Sequence, residues 1–108
     1  MKKLIVLSLG LLAAGAVSVS AAEAKENWEK HCAKCHGLDG AGKTKMGEKL
    51  AVKDYTSPKV QESMKDNEMT KAIKEGVKDG EKTKMKGFSE LSDDEIKALV
   101  AQIRSFKK

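Results

Sequence analysis

The sequence predicts an all-α fold in one small domain. Three observations carry this. Apolar residues recur every three to four positions in the longer segments, no segment alternates apolar and polar residues as a strand does, and capping residues and glycines bound the periodic runs. The first helix is expected from about residue 23 to residue 35, with Ala24, Trp28, His31 and Cys35 at helical spacing and Gly37 as its stop. Gly40 and Gly42 mark a loop that carries Lys43 and Lys45, and a short turn of helix is expected near residues 46–50. Ser57-Pro58 reads as an N-cap followed by proline at the first helical position, opening a short helix to about Met64. Asp66 or Asn67 is expected to cap the next helix, which carries Met69, Ala72 and Ile73 and stops at Gly76. The last helix has the clearest signals. Ser92-x-x-Glu95 is a capping box, Leu91 with Ile96 forms a hydrophobic staple, and Ile96, Leu99, Val100, Ile103 and Phe106 make one apolar stripe. That stripe is expected to pack on the first helix, with Trp28 as the main contact.

Residues 1–22 read as a secretory signal peptide. Met1, Lys2 and Lys3 give a basic start, residues 4–22 carry no charge, and small residues follow in Val19-Ser20-Ala21-Ala22-Glu23-Ala24. Ser20-x-Ala22 and Ala22-x-Ala24 both suit the cleaving enzyme, so the cut is expected after Ala22 or Ala24 and residues 23–108 form the mature domain. An uncleaved anchor is the alternative, because the uncharged run is about long enough to span a bilayer. Gly10, Gly15 and three serines dilute it. Losing residues 1–22 removes two lysines and no acid, so the formal net charge falls from +5 to +3. So small an excess, with both signs spread along the chain, excludes a nucleic-acid-binding surface. The core is poor in aromatics, with Trp28, Tyr55, Phe88 and Phe106 alone, and a domain this small usually needs a disulfide, a metal or a large cofactor.

The two cysteines lie in Cys32-Ala33-Lys34-Cys35-His36, the C-x-x-C-H signature of covalent haem attachment. On a helix, positions i, i+3 and i+4 share one face. Two thiols so placed reach the two vinyl groups of a haem lying against that face, and the histidine beside the second thioether projects under the iron. A thioredoxin-like redox pair would require a βαβ pattern, which the chain lacks. A zinc site would require a second pair of ligands, and the other histidine, His31, lies beside the first pair. A plain disulfide leaves His36 unexplained. His31 precedes Cys32 on the same helix, so it is read as a surface or haem-flanking residue, not as a distal ligand.

The sixth iron ligand has four methionine candidates: Met46, Met64, Met69 and Met85. Met69 fits the apolar face of its helix and Met64 a helix end in a polar stretch. Met46 lies in the loop that passes the histidine side. Met85, flanked by Lys82, Lys84, Lys86 and Gly87, lies in an irregular segment that can bring a thioether over the opposite haem face. Met85 is therefore the first choice and Met46 the second. With both axial positions filled by protein, no substrate reaches the iron and the haem edge exchanges electrons only. An open, five-coordinate haem for ligand sensing or peroxidase-like chemistry is the competing class. Leu50, Phe88 and Leu99 are candidate wall residues. The lysines near Met85 and in the loop of residues 40–49 are candidates for framing an exposed haem edge and steering the protein to acidic partner surfaces.

Over essentially its whole mature length the chain resembles the short bacterial class I monohaem c-type cytochromes. The residues that carry the likeness are Cys32-Ala33-Lys34-Cys35-His36-Gly37, Gly40-x-Gly42, Met69-Thr70-Lys71-Ala72-Ile73-Lys74-Glu75-Gly76, Lys84-Met85-Lys86-Gly87-Phe88 and Leu91-Ser92-Asp93-Asp94-Glu95-Ile96. The resemblance implies first and last helices crossed around one haem c, with His36 proximal and Met85 distal. It implies a monomeric periplasmic electron carrier, not an enzyme, that moves single electrons between periplasmic or membrane redox partners. Three departures stand out. Lys86 replaces a proline that often follows the distal methionine, and no proline near Met46-Gly47-Glu48 offers a carbonyl to the proximal histidine. Gln102 stands where the last helix often has an aromatic, so Trp28 is expected to pack on Leu99 and Ile103.

Overall fold

Six helices and one short hairpin make up the computed structural model, which describes residues 19–108. Most of the expected signal peptide lies outside the described residues. Helix α1 spans Ala21–His31, α2 Ala33–His36, α3 Lys45–Leu50, α4 Pro58–Ser63, α5 Asp66–Glu75 and α6 Asp93–Ser105. Strands β1, Val77–Asp79, and β2, Lys82–Met85, lie between α5 and α6.

Helix α1 begins two residues before its expected start because Ser20 and Glu23 form a capping box. The Ser20 hydroxyl accepts from the Glu23 N–H at 3.1 Å, satisfying a donor that the helix start leaves free. The helix does not run unbroken to Cys35. Cys32, at φ −118°, separates α1 from α2. Its N–H still donates to the Trp28 carbonyl, and its carbonyl accepts from the His36 N–H, both at 2.9 Å. The helical spacing of Cys32, Cys35 and His36 therefore survives the break. Gly37 ends α2 at φ +84° and ψ 157°, an extended positive-φ conformation that favours glycine.

The later helices keep to their signals, with one exception. Ser57 caps α4 over Pro58, and Ser92 with Glu95 forms the capping box of α6. At α5 the N-cap is Lys65, without a side-chain bond, and Asp66 is the first helical residue. The Asp66 carboxylate instead accepts from Arg104, from Nη2 at 2.8 Å and Nε at 3.0 Å. A cation on the neighbouring helix has taken the carboxylate that was expected to cap.

The β1–β2 hairpin overturns the expectation of an irregular, strand-free segment. Its register pairs Val77 with Met85, Lys78 with Thr83 and Asp79 with Lys82, with an irregularity between Val77 and Lys78. Gly80, at φ +66°, begins the two-residue turn. Strands of three and four residues are too short to show an alternating pattern.

Helices α1 and α6 cross and form the main packing interface. Ile96 and Leu99 are fully buried there, with Trp28, Val100 and Ile103 close behind. The Trp28 ring packs on Phe106, tilted at 53° with centroids 4.9 Å apart, and donates its indole N–H to the Gly37 carbonyl at 2.8 Å. Leu99 and Ile103 belong to the same buried cluster as Trp28, and all three border a small void. Buried Gln61 ties α4 to α6, donating to the carbonyls of Tyr55 at 2.7 Å and Ile103 at 2.8 Å. These ties leave one side of the fold hollow.

Candidate haem site

The hollow is a cavity of about 820 Å³, open on one side. That is within the range of sites that enclose a cofactor or ligand. Cys32, Cys35 and His36 form one wall, held there by the α1–α2 break and the Gly37 stop. Met85, at the end of β2, lines the same cavity. So do Met64 and Met69, both of which belong to the core cluster, while Met46 is not among the lining residues. Leu50 and Phe88 are cavity walls as expected. Leu99 is not. It lies deeper, beside a void of about 40 Å³ that also touches Trp28, His36 and Met85.

The chemistry of the wall suits a covalently held haem. Burial pushes the Cys32 thiol up to about 12, with the nearby Cys35 adding to the rise. A site that resists a thiolate suits a neutral thioether and disfavours a thiolate-bound metal. Burial also lowers the pKa of His36, which keeps the imidazole neutral with a lone pair free for a metal. His36 Nδ1 is the one deeply buried side-chain polar atom among the described residues without a hydrogen-bond partner. No proline carbonyl meets it, in keeping with the proline-free sequence around Gly47. Among the described residues no group of three or more His, Cys, Asp and Glu could hold a metal by protein ligands alone. The residues present fit a porphyrin that brings four of its own nitrogens.

Tyr55 and Thr44, to which the sequence reading gave no role at the site, support this wall. Tyr55 lies nearly parallel to the His36 ring, at 5.1 Å and 19°, and Trp28 stands 5.6 Å from it on another side. Tyr55 is placed by Gly40, whose carbonyl accepts from the Tyr55 N–H at 2.8 Å. This contact spans a glycine loop, and no local pattern announces it. Thr44 donates to the Cys35 carbonyl at 2.6 Å. Gly47 lets α3 come so close that a Cβ there would strike that same oxygen.

His31 lines the cavity with its ring 5.2 Å from Phe88. Lys86 approaches the Phe88 ring as well, at 5.4 Å. The lysines on the cavity are Lys30, Lys34, Lys53, Lys84 and Lys86, and the one acid there is Glu68. Of the group beside Met85, Lys84 and Lys86 line the cavity and Lys82 does not. Lys43, Lys45 and Lys49 of the glycine loop are not among the lining residues, and Lys30, Lys34 and Lys53 stand in their place.

Comparison with known proteins agrees with this geometry. A family model described as cytochrome c matches residues 21–107. A solved structure titled KustC0563 c-type cytochrome is 34% identical, with a TM-score of 0.70, covering 79% of this chain and 98% of that one. A tyrosine-to-phenylalanine variant of Kustc0563 is 33% identical, with a TM-score of 0.67, covering 78% and 98%. A search of curated proteins returns no match. Attachment motif, cavity, crossed helices and family match converge, and the chain belongs to the cytochrome c family, small proteins that carry haem c and exchange electrons with redox partner proteins.

Proposed function

We propose that the protein is an exported one-electron carrier. In this reading Cys32 and Cys35 hold the haem by thioethers, and His36 and Met85 are the axial ligands of its iron. The bound haem supplies a one-electron couple at a partly exposed edge. The chain's own residues do the rest. His36 is kept neutral by burial and packs against Tyr55 and Trp28, while Leu50 and Phe88 line the cavity with apolar surface. Met85 offers a thioether, which favours the ferrous state relative to a second histidine. The observation that carries the reading is the shared cavity, with the attachment pair and His36 on one wall and Met85 arriving from the hairpin. Met64 and Met69 line it too, but each is engaged in the core at under a tenth exposed, whereas Met85 is only half-buried at a strand end.

The test is a visible spectrum of the ferric holoprotein. Methionine ligation gives a weak sulfur-to-iron charge-transfer band at the red end. Met85→Ala should abolish it, and Met46→Leu, Met64→Leu and Met69→Leu should keep it. A band that survives Met85→Ala refutes the assignment. Carbon monoxide binding by the unmodified ferrous protein would instead mark an open haem.

Export rests on the basic, apolar and small-residue pattern of residues 1–22, with periplasmic residence and cleavage after Ala22 or Ala24. An intact mass starting at Glu23 or Lys25 is the expected result. A mass that retains Met1 rules it out. Among the described residues no helix is long and apolar enough to cross a membrane. Five lysines and one acid on the cavity favour acidic docking surfaces on partners met as a monomer. The association rate should then fall as salt rises, and a flat response removes the steering.

A further inference from the structure

The root of the β1–β2 hairpin is a contact between backbones. A Cβ on Gly76 would lie 2.6 Å from the Met85 carbonyl oxygen and 2.7 Å from the Gly87 nitrogen. A Cβ on Gly87 would lie 2.6 Å from the Glu75 carbonyl carbon and 2.8 Å from the carbonyl oxygens of Glu75 and Lys74. The end of α5 and the segment leaving β2 therefore touch with no side chain between them. One residue further on, the Phe88 N–H donates to the Ile73 carbonyl at 2.8 Å, and Phe88 itself is buried. The far end of the hairpin is different. Gly80 has nothing within 4 Å, and residues 77–83 are exposed.

We propose that Gly76 and Gly87 are positioning residues for the Met85 thioether, setting from the hairpin root where the ligand sits over the cavity. The inference rests on the reading of Met85 as the distal ligand. It explains how Met85 is held firmly although Lys86 follows it. A working site must be held within about 0.5 Å of its productive geometry. Relieving the Gly87 overlap to ordinary contact at 3.4 Å requires the two backbones to part by about 0.8 Å. That displacement is passed back along the chain to Met85, two residues away, through Lys86, which lines the cavity as well.

The two ends of the hairpin supply the experiment. Gly87 is not among the residues with positive φ, so Gly87→Ala adds steric overlap alone. Gly80→Ala adds left-handed strain alone, at an open tip. In ferric holoprotein, Gly87→Ala should keep the full thioether-bound haem content and the far-ultraviolet helical signal. It should lose the sulfur-to-iron band, and the ferrous form should bind carbon monoxide. Gly80→Ala, and insertion of two further glycines beside Gly80, should keep the band and exclude carbon monoxide. A wild-type band in Gly87→Ala, or its loss in either tip variant, overturns the proposal. Should Gly87→Ala not mature, the tip insertion decides alone, retention supporting the proposal and loss overturning it. Met85→Ala separates the two claims. If Met85→Ala retains the band, the ligand reading fails. If Met85→Ala loses it and Gly87→Ala keeps it, only the positioning role fails.

Discussion

Arg104 joins α6 to the α4–α5 turn through five hydrogen bonds, and replacing it tests which of them matter. Nη1 donates to the Gln61 carbonyl at 2.7 Å and to Gln61 Oε1 at 3.1 Å. Nη2 donates to the Met64 carbonyl at 2.7 Å and to Asp66 Oδ1 at 2.8 Å, and Nε completes the fork on that oxygen at 3.0 Å. The ion pair is the weaker part. Its side chains are 34% and 73% exposed, so screening holds its contribution to about 0.2–1 kcal/mol. The carbonyl bonds come from a charged donor to half-buried acceptors, each worth about 1.5–3 kcal/mol when well shielded. Allowing for water reaching the vacated carbonyls, Arg104→Ala should cost about 2–3 kcal/mol. In a domain of this size that lowers Tm by roughly 10–20 °C. Asp66→Asn should cost under about 1 kcal/mol. The assay is thermal unfolding of the holoprotein followed by far-ultraviolet circular dichroism. If Asp66→Asn lowers Tm as much as Arg104→Ala, the clamp is an ion pair and the partition above is wrong. The same result would follow if Arg104→Lys, which keeps the charge but not the fork, restored full stability.

Three further outcomes follow from named contacts. Trp28→Phe removes the donor to the buried Gly37 carbonyl and should cost about 1–3 kcal/mol in chemical denaturation, with the haem still attached. Gly47→Ala forces a Cβ onto the Cys35 carbonyl and the neighbouring backbone, so it should lower Tm far more than Gly80→Ala, which meets open space. The Glu95 carboxyl is held below its ordinary value of 4.5 chiefly by the Ser92 backbone N–H of the capping box. Its stabilisation is thus complete above pH 4.5 and is lost as pH falls through the lower folded value. Glu95→Gln should flatten the acid limb of the stability profile, and an unchanged limb would assign acid sensitivity to other groups.

What could be read from the sequence follows the range of the interactions involved. The Ser92-x-x-Glu95 capping box, the Ser57-Pro58 start and the glycine stops depend on residues within four positions of each other, and each is found in the structure. The cavity wall formed by Cys32, Cys35 and His36 is equally local, because one helical turn places it. Where the reading failed, a distant group had intervened. Asp66 leaves its cap for Arg104, 38 positions away. Tyr55 comes under His36 through a glycine loop. The hairpin gave one local sign, Asp79-Gly80, a turn-forming pair that periodicity cannot register in strands this short. That omission bears on function. The sequence marks Met85 as a candidate by its residue type and its setting between helices, but those leave Met46 in contention. The cavity removes Met46 from its walls and brings in Met64 and Met69, so residue type alone no longer separates the candidates. The distinction comes from attachment. Met64 and Met69 are fixed by the same core that holds α5 to α6, and withdrawing either for the iron would empty that core. Met85 packs against the edge of that cluster, half-buried at a strand end, so its thioether faces the cavity at less cost to the core than either of the other two.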